Sequence, residues 1–168
     1  MNILGIDPGL ASIGWAVLQS DKGFKLLDCG CFETKKETDF SARLEIIFEE
    51  VKKLSQKYSL DVLAVEGLYF AKNVKTAILV AQCLGVIKLA GKKLGLTVVE
   101  YTPLNVKMTI TGYGRAEKEQ VEFMVKQTLG IKDKIKPNHA ADAVAVALTH
   151  CFTNKILINS KCKVQNSK

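Results

Sequence analysis

Three acidic residues lie at the ends of apolar runs or inside one, in parts of the chain far apart. Ile3-Leu4-Gly5-Ile6 leads into Asp7-Pro8-Gly9, and Val62-Leu63-Ala64-Val65 leads into Glu66-Gly67. Asp142 sits within His139-Ala140-Ala141-Asp142-Ala143-Val144-Ala145-Val146-Ala147, a small-residue helical pattern. A carboxylate at the tip of a buried strand is costly to desolvate unless positive charge stands beside it. Three such groups point to one shared partner, a divalent cation, and oxygen-rich carboxylate sites suit Mg²⁺ or Mn²⁺ better than zinc.

The runs between these residues set the order of elements. Residues 2–8, 13–19 and 24–33 read as three strands joined by the turn residues Pro8-Gly9 and Asp21-Lys22-Gly23, and links this short favour an antiparallel meander. A helix from Ser41 to Tyr58 follows, with Leu44, Ile47, Phe48, Val51 and Leu54 on one face. Val62 to Glu66 is apolar without alternation, as expected of a central strand buried on both faces. Next come a helix from Asn73 to Leu94, a strand from Leu96 to Tyr101, and a short helix opened by Pro103 and running through Met108. Gly112 and Gly114 break that helix; another runs from Ala116 to Leu129, and Pro137 just precedes a last one that reaches Phe152. The expected fold class is α/β: a mixed five-stranded sheet, three antiparallel strands plus parallel additions, flanked by helices.

With 168 residues, 48% of them hydrophobic, the chain has the material for one compact core. Residues 1–153 are expected to form that domain and 154–168 a basic, flexible tail carrying Lys155, Lys161, Lys163 and Lys168 and no acid. No apolar run is expected to reach the ~18 residues of a membrane span, and Asp7 follows the N-terminus too closely for a signal peptide. The five cysteines, at 29, 31, 83, 151 and 162, contain no C-x-x-C pair and read as reduced thiols of a cytoplasmic protein. A net charge of +7 around an acidic centre is the balance a nuclease needs: cations hold phosphates while carboxylates hold metal.

The helix over Ala77 to Ala90 has almost no polar face. A helix apolar all round must be covered on more than one side. Either the other helices supply that cover or a second copy of the chain does, with Gly85 and Gly91 allowing close approach. The dimer is the favoured reading.

Gly5-Ile6-Asp7-Pro8-Gly9, Val65-Glu66, Ala71-Lys72-Asn73, Ala116-Glu117-Lys118 and Ala140-Ala141-Asp142-Ala143, in this order and spacing, resemble the RuvC-type Holliday junction resolvases. The resemblance covers roughly residues 3 to 152. It implies an RNase H-like fold, a homodimer, Mg²⁺-dependent nicking of four-way junction DNA, and partnership with the RuvA–RuvB branch-migration complex. The catalytic and metal-binding carboxylates carry over to Asp7, Glu66 and Asp142. A fourth family position, commonly Asp, falls on His139, three residues before Asp142 and therefore on the same helix face. Imidazole is softer than carboxylate and suits Mn²⁺ better than Mg²⁺. His139 is read as a ligand, the alternative being packing at the helix start. Two metals roughly 4 Å apart would serve an in-line displacement, with Asp7 between Glu66 on one side and Asp142 and His139 on the other. His150 lies eleven residues beyond His139, roughly 16 Å along a helix, and is excluded as a partner ligand.

For DNA binding, the resemblance places Tyr69 where family members insert an aromatic at the junction centre, and puts Lys107 and Lys118 near the scissile strand. Phe70 and Lys72 flank the same segment and are candidate base and phosphate contacts, Phe70 being equally suited to the core. Thr111-Gly112-Tyr113-Gly114-Arg115 reads as a flexible loop entering a helix N-terminus, with Arg115 as a phosphate contact. Two other readings stay open at this point: a junction-binding protein that cuts weakly or not at all, and an RNase H-like nuclease acting on RNA–DNA hybrids.

Overall fold

The computed structural model describes residues 1–68 and 74–165, with side chains described through Asn154. Ten elements follow in the order β1 (Asn2–Asp7), β2 (Ser12–Ser20), β3 (Phe24–Glu33), α1 (Phe40–Tyr58), β4 (Val62–Glu66), α2 (Val74–Lys93), β5 (Thr97–Tyr101), α3 (Pro103–Thr111), α4 (Lys118–Leu129) and α5 (Asn138–Gln165). The sheet runs β3-β2-β1-β4-β5. β1, β2 and β3 form the antiparallel meander, while β4 joins β1, and β5 joins β4, in parallel. This is the mixed five-stranded sheet expected from the sequence.

The sheet divides the core into two layers. Ile3, Ala16, Leu18, Val62 and Ala64 face α5 and the shorter helices, whereas Leu4, Ile6, Val17, Leu63 and Val65 face α1 and α2. The run Val62 to Val65 is therefore apolar throughout because alternate side chains meet different helical layers.

Glycine and alanine bring α5 onto the sheet. A side chain at Gly5 would collide with the Ala143 carbonyl and with Ala147, and one at Gly14 with the backbone of His139. The alanines of α5 and these two strand glycines thus let two backbones approach closely. That approach seats the first turns of α5 over the ends of β1 and β2.

Two features differ from the sequence reading. Helix α5 does not stop at Phe152 but continues to Gln165. No glycine or proline lies between Asn138 and Gln165, so nothing in the backbone ends it. Helix α2 meets the length and composition of a membrane span, with mean hydropathy 1.6, although Lys75, Gln82 and Lys88 interrupt its apolar runs. Its inner face, Cys83, Leu84, Ile87 and Ala90, is buried in the core layer between the sheet and α1. Its outer face leaves Val74, Ile78 and Leu89 exposed at 68%, 54% and 52%, and Gly85 open. Within one chain, the helices cover only one side of it.

No disulfide forms among the described cysteines: Cys83 and Cys151 are buried, while Cys29 and Cys31 are half-buried. Burial pushes the Cys151 thiol up to about 11, which keeps it an inert packing group.

Candidate metal centre and nucleic-acid cleft

Asp7 ends β1, Glu66 ends the adjacent parallel strand β4, and His139 and Asp142 occupy the first turns of α5. Ligand atoms of Asp7, His139 and Asp142 all lie within 4.8 Å of one another. The His139 Nδ1 is 2.8 Å from the Asp7 Oδ2. Glu66 stands outside that set and interacts with Asp7 from the β4 side. Asp7 is therefore the residue shared by the two halves of the cluster.

The electrostatics are those of a site short of positive charge. Burial pushes the Glu66 carboxyl up to about 7, and the neighbouring Asp7 and Asp142 push it the same way. Asp7 is also held above the usual carboxylate range, mainly by burial and further by Asp142, against the lowering effect of His139 and Lys118. Lys118, at the start of α4, donates to the Asp142 Oδ2 at 2.5 Å. Three carboxylates and one imidazole form a donor set that fits a divalent cation, and the Lys118 ammonium paired with Asp142 shows that the cluster already attracts positive charge. Asp7, His139 and Asp142 would hold it, with Glu66 on the far side of Asp7.

A buried cation supports the loop that leaves Asp7. Arg43 on α1 is 6% exposed, and its guanidinium donates to the Leu10 carbonyl at 2.5 Å and to the Thr34 Oγ1 at 2.9 Å. The Thr34 hydroxyl donates to the same carbonyl at 2.9 Å, and the Thr34 N–H to the Ala11 carbonyl at 2.9 Å. Together they tie the Pro8–Ala11 turn to α1 and to the chain leaving β3. Sequence reasoning missed Arg43 because an arginine on an amphipathic helix reads as a solvated residue; only the tertiary fold buries it.

The residues expected to bind DNA divide three ways. Lys107 and Lys118 line a cleft of about 300 Å³ together with Glu66 and Asp142. Arg115 is exposed, on a turn more tightly bonded than the flexible loop expected from its glycines. There the Thr111 hydroxyl donates to the Tyr113 carbonyl at 3.0 Å and accepts from its N–H at 3.1 Å, while Gly112 caps α3 with a left-handed backbone. Tyr69, Phe70 and Lys72 lie outside the described residues. His150 plays no part in the cluster: it is buried and pairs with the Tyr101 hydroxyl at 2.9 Å.

Comparison with known proteins gives this arrangement a family. The profile described as "Crossover junction endodeoxyribonuclease RuvC" matches residues 3–150. The protein of that name from Clostridioides difficile is 45% identical over 157 residues, covering 93% of each chain. The Thermus thermophilus RuvC structure superposes with a TM-score of 0.87 at 32% identity, covering 93% of this chain and 96% of that one. The same Thermus protein in complex with a Holliday junction substrate gives a TM-score of 0.85 at 30% identity, with the same coverage. Sequence and fold agree over nearly the whole chain, which belongs to the RuvC family of crossover junction endodeoxyribonucleases.

Proposed function

We propose that this protein resolves Holliday junctions in recombination and DNA repair, cutting by metal-dependent phosphodiester hydrolysis. The observation that carries the reading is that Glu66 and Asp142 line one cleft with Lys107 and Lys118, while Asp7 and His139 gather beside Asp142. Thermus RuvC, of the same fold, has been solved on a Holliday junction.

Mg²⁺ is the proposed cofactor, two ions per site, with Mn²⁺ able to substitute; bound there, such ions supply water activation and neutralise charge building on the phosphate. Asp7, Glu66, Asp142 and His139 would hold them, Asp7 being the residue that adjoins both Glu66 and the His139–Asp142 pair. Lys118 donates to Asp142 here, and were Asp142 to hold metal, Lys118 would be available to a phosphate oxygen. Lys107, on the same cleft wall, steadies the strand. Arg115 and Lys72 are further phosphate contacts, and Tyr69 and Phe70 are the aromatic groups for unpaired bases.

Two nicks at symmetric positions require two such sites. We infer a homodimer joined through the exposed stripe of α2, since an isologous pair matches the two-fold symmetry of the junction. The RuvA–RuvB branch-migration complex is its proposed partner, and the cytoplasm its compartment. Residues 1–153 form the nuclease unit, and 154–168 a basic extension.

Labelled four-way junctions, duplexes and RNA–DNA hybrids, each incubated with Mg²⁺ or Mn²⁺, test the proposal. Paired symmetric nicks in the junction alone are expected. Binding without cutting would support a recognition protein, and preferential cutting of hybrids would support a ribonuclease.

A further inference from the structure

On the face of the sheet opposite the metal centre, the backbone leaving Glu66 meets an ion pair. Lys88 of α2 pairs with the Glu100 carboxylate of β5. The other Glu100 oxygen, with its Cγ and Cδ, fills the space that any side chain at position 67 would need. From the strand side, the Gly67 N–H donates to the Tyr101 carbonyl at 2.8 Å. The peptide after Glu66 is thus held by the β5 backbone and by a side chain from the same strand.

Strand alternation makes this arrangement consequential. Glu100 lies opposite Val65 in the parallel register, and Val65 belongs to the layer facing α1 and α2. Glu66, one residue on, faces the α5 side with Asp7. The carboxylate and the ion pair therefore act on opposite faces of one short segment. Glycine is the residue with the greatest backbone freedom, and Gly67 immediately follows a carboxylate whose placement governs the site. Gly67 is itself buried, and the Glu100 carboxylate, paired with Lys88, is packed over it.

We propose that the Lys88–Glu100 ion pair is a positioning device for Glu66, fixing the direction in which the chain leaves β4. Its catalytic consequence rests on the nuclease reading of Glu66; its mechanical consequence does not. Both side chains of the pair are partly exposed, at 38% and 43%, so the pair adds little to global stability.

The test uses Lys88→Met, Glu100→Gln, Gly67→Ala and Lys88→Arg in the full chain. Lys88→Met and Glu100→Gln are expected to slow single-turnover junction cutting by roughly 10- to 100-fold, the usual effect of a misplaced catalytic group. Junction affinity should be unchanged, and melting temperature should stay within about 3 °C of wild type. Lys88→Arg should cut normally. Gly67→Ala, which displaces the Glu100 carboxylate, should slow cutting similarly, and adding Glu100→Gln to it should slow cutting no further. Amide exchange at Gly67, read without substrate or metal, should accelerate about tenfold in Lys88→Met and Glu100→Gln and not in Lys88→Arg. Unchanged Gly67 exchange in both neutralised variants would overturn the proposal whether or not the protein cuts. Normal cutting by both, beside an active wild type, would also overturn it; failure of wild type to cut would instead count against the nuclease reading.

Discussion

Asp7→Asn is expected to reduce junction cutting by at least about 10³-fold, as loss of a carboxylate proposed to hold the catalytic metal should. Gel-shift affinity for the same four-way junction should survive. The substitution has a second consequence, set by the electrostatics of the cluster. In the metal-free protein Glu66 titrates at about 7, above its ordinary 4.5. Between those values the fold retains a proton that the unfolded chain has released, so this group removes stability as pH rises through the window. Below the lower value both states are protonated and the penalty vanishes. Replacing Asp7 removes one of the two carboxylates that raise Glu66 and one buried acid held above its own ordinary range. With chelator present, Asp7→Asn should therefore be more stable than wild type at pH 8, by on the order of 1–3 kcal/mol, and gain much less at pH 4. Melting curves at the two pH values check this. A variant that cuts at the wild-type rate would remove Asp7 from the centre, and equal stability at both pH values would contradict the charge-repulsion account.

Placing charge on the outer face of α2 is expected to have the next largest effect. Ile78 and Leu89 are each more than half exposed in the single chain, so Ile78→Asp with Leu89→Asp should leave the monomer fold intact. If these side chains are buried between two copies, losing them on both subunits forfeits about 4 kcal/mol or more, a thousandfold or greater weakening of dimerisation. Light scattering at micromolar concentration should show dimer for wild type and monomer for the variant. Paired nicks should give way to single, uncoupled ones. A wild-type monomer, both free and on DNA, would contradict the subunit arrangement.

The elements that position the cluster were legible because their patterns have one physical solution. An unbroken apolar strand ending in Glu66 has to be central, and short glycine-containing turns around β1 and β2 leave little but a meander. The small-residue stretch after His139 read only as a helix; that its alanines pack closely on Gly5 and Gly14 emerges from the tertiary fold. Other features depend on tertiary placement. Arg43 reads as a surface arginine until Leu10 and Thr34 close over it. Lys88 interrupts an apolar helix for no local reason; its partner Glu100 lies on another element. The end of α5 was misplaced because polar composition after Phe152 suggested a tail, whereas a backbone with no glycine or proline continues as helix to Gln165. Lys118 was assigned to DNA from the resemblance, and its contact with Asp142 adds a role inside the cluster.

The central claim is that Asp7, Glu66, His139 and Asp142 converge on divalent metal. Imidazole in place of the commoner carboxylate makes Mn²⁺ the sensitive probe, since it accepts nitrogen more readily than Mg²⁺ does. The direct measurement is an anomalous difference map from a crystal soaked in Mn²⁺ and recorded at the manganese edge. The account predicts a peak in contact with Asp7, Asp142 and a His139 ring nitrogen, and a second peak, between Asp7 and Glu66, once DNA is bound. A Mn²⁺-loaded crystal with no peak among these four side chains would contradict it.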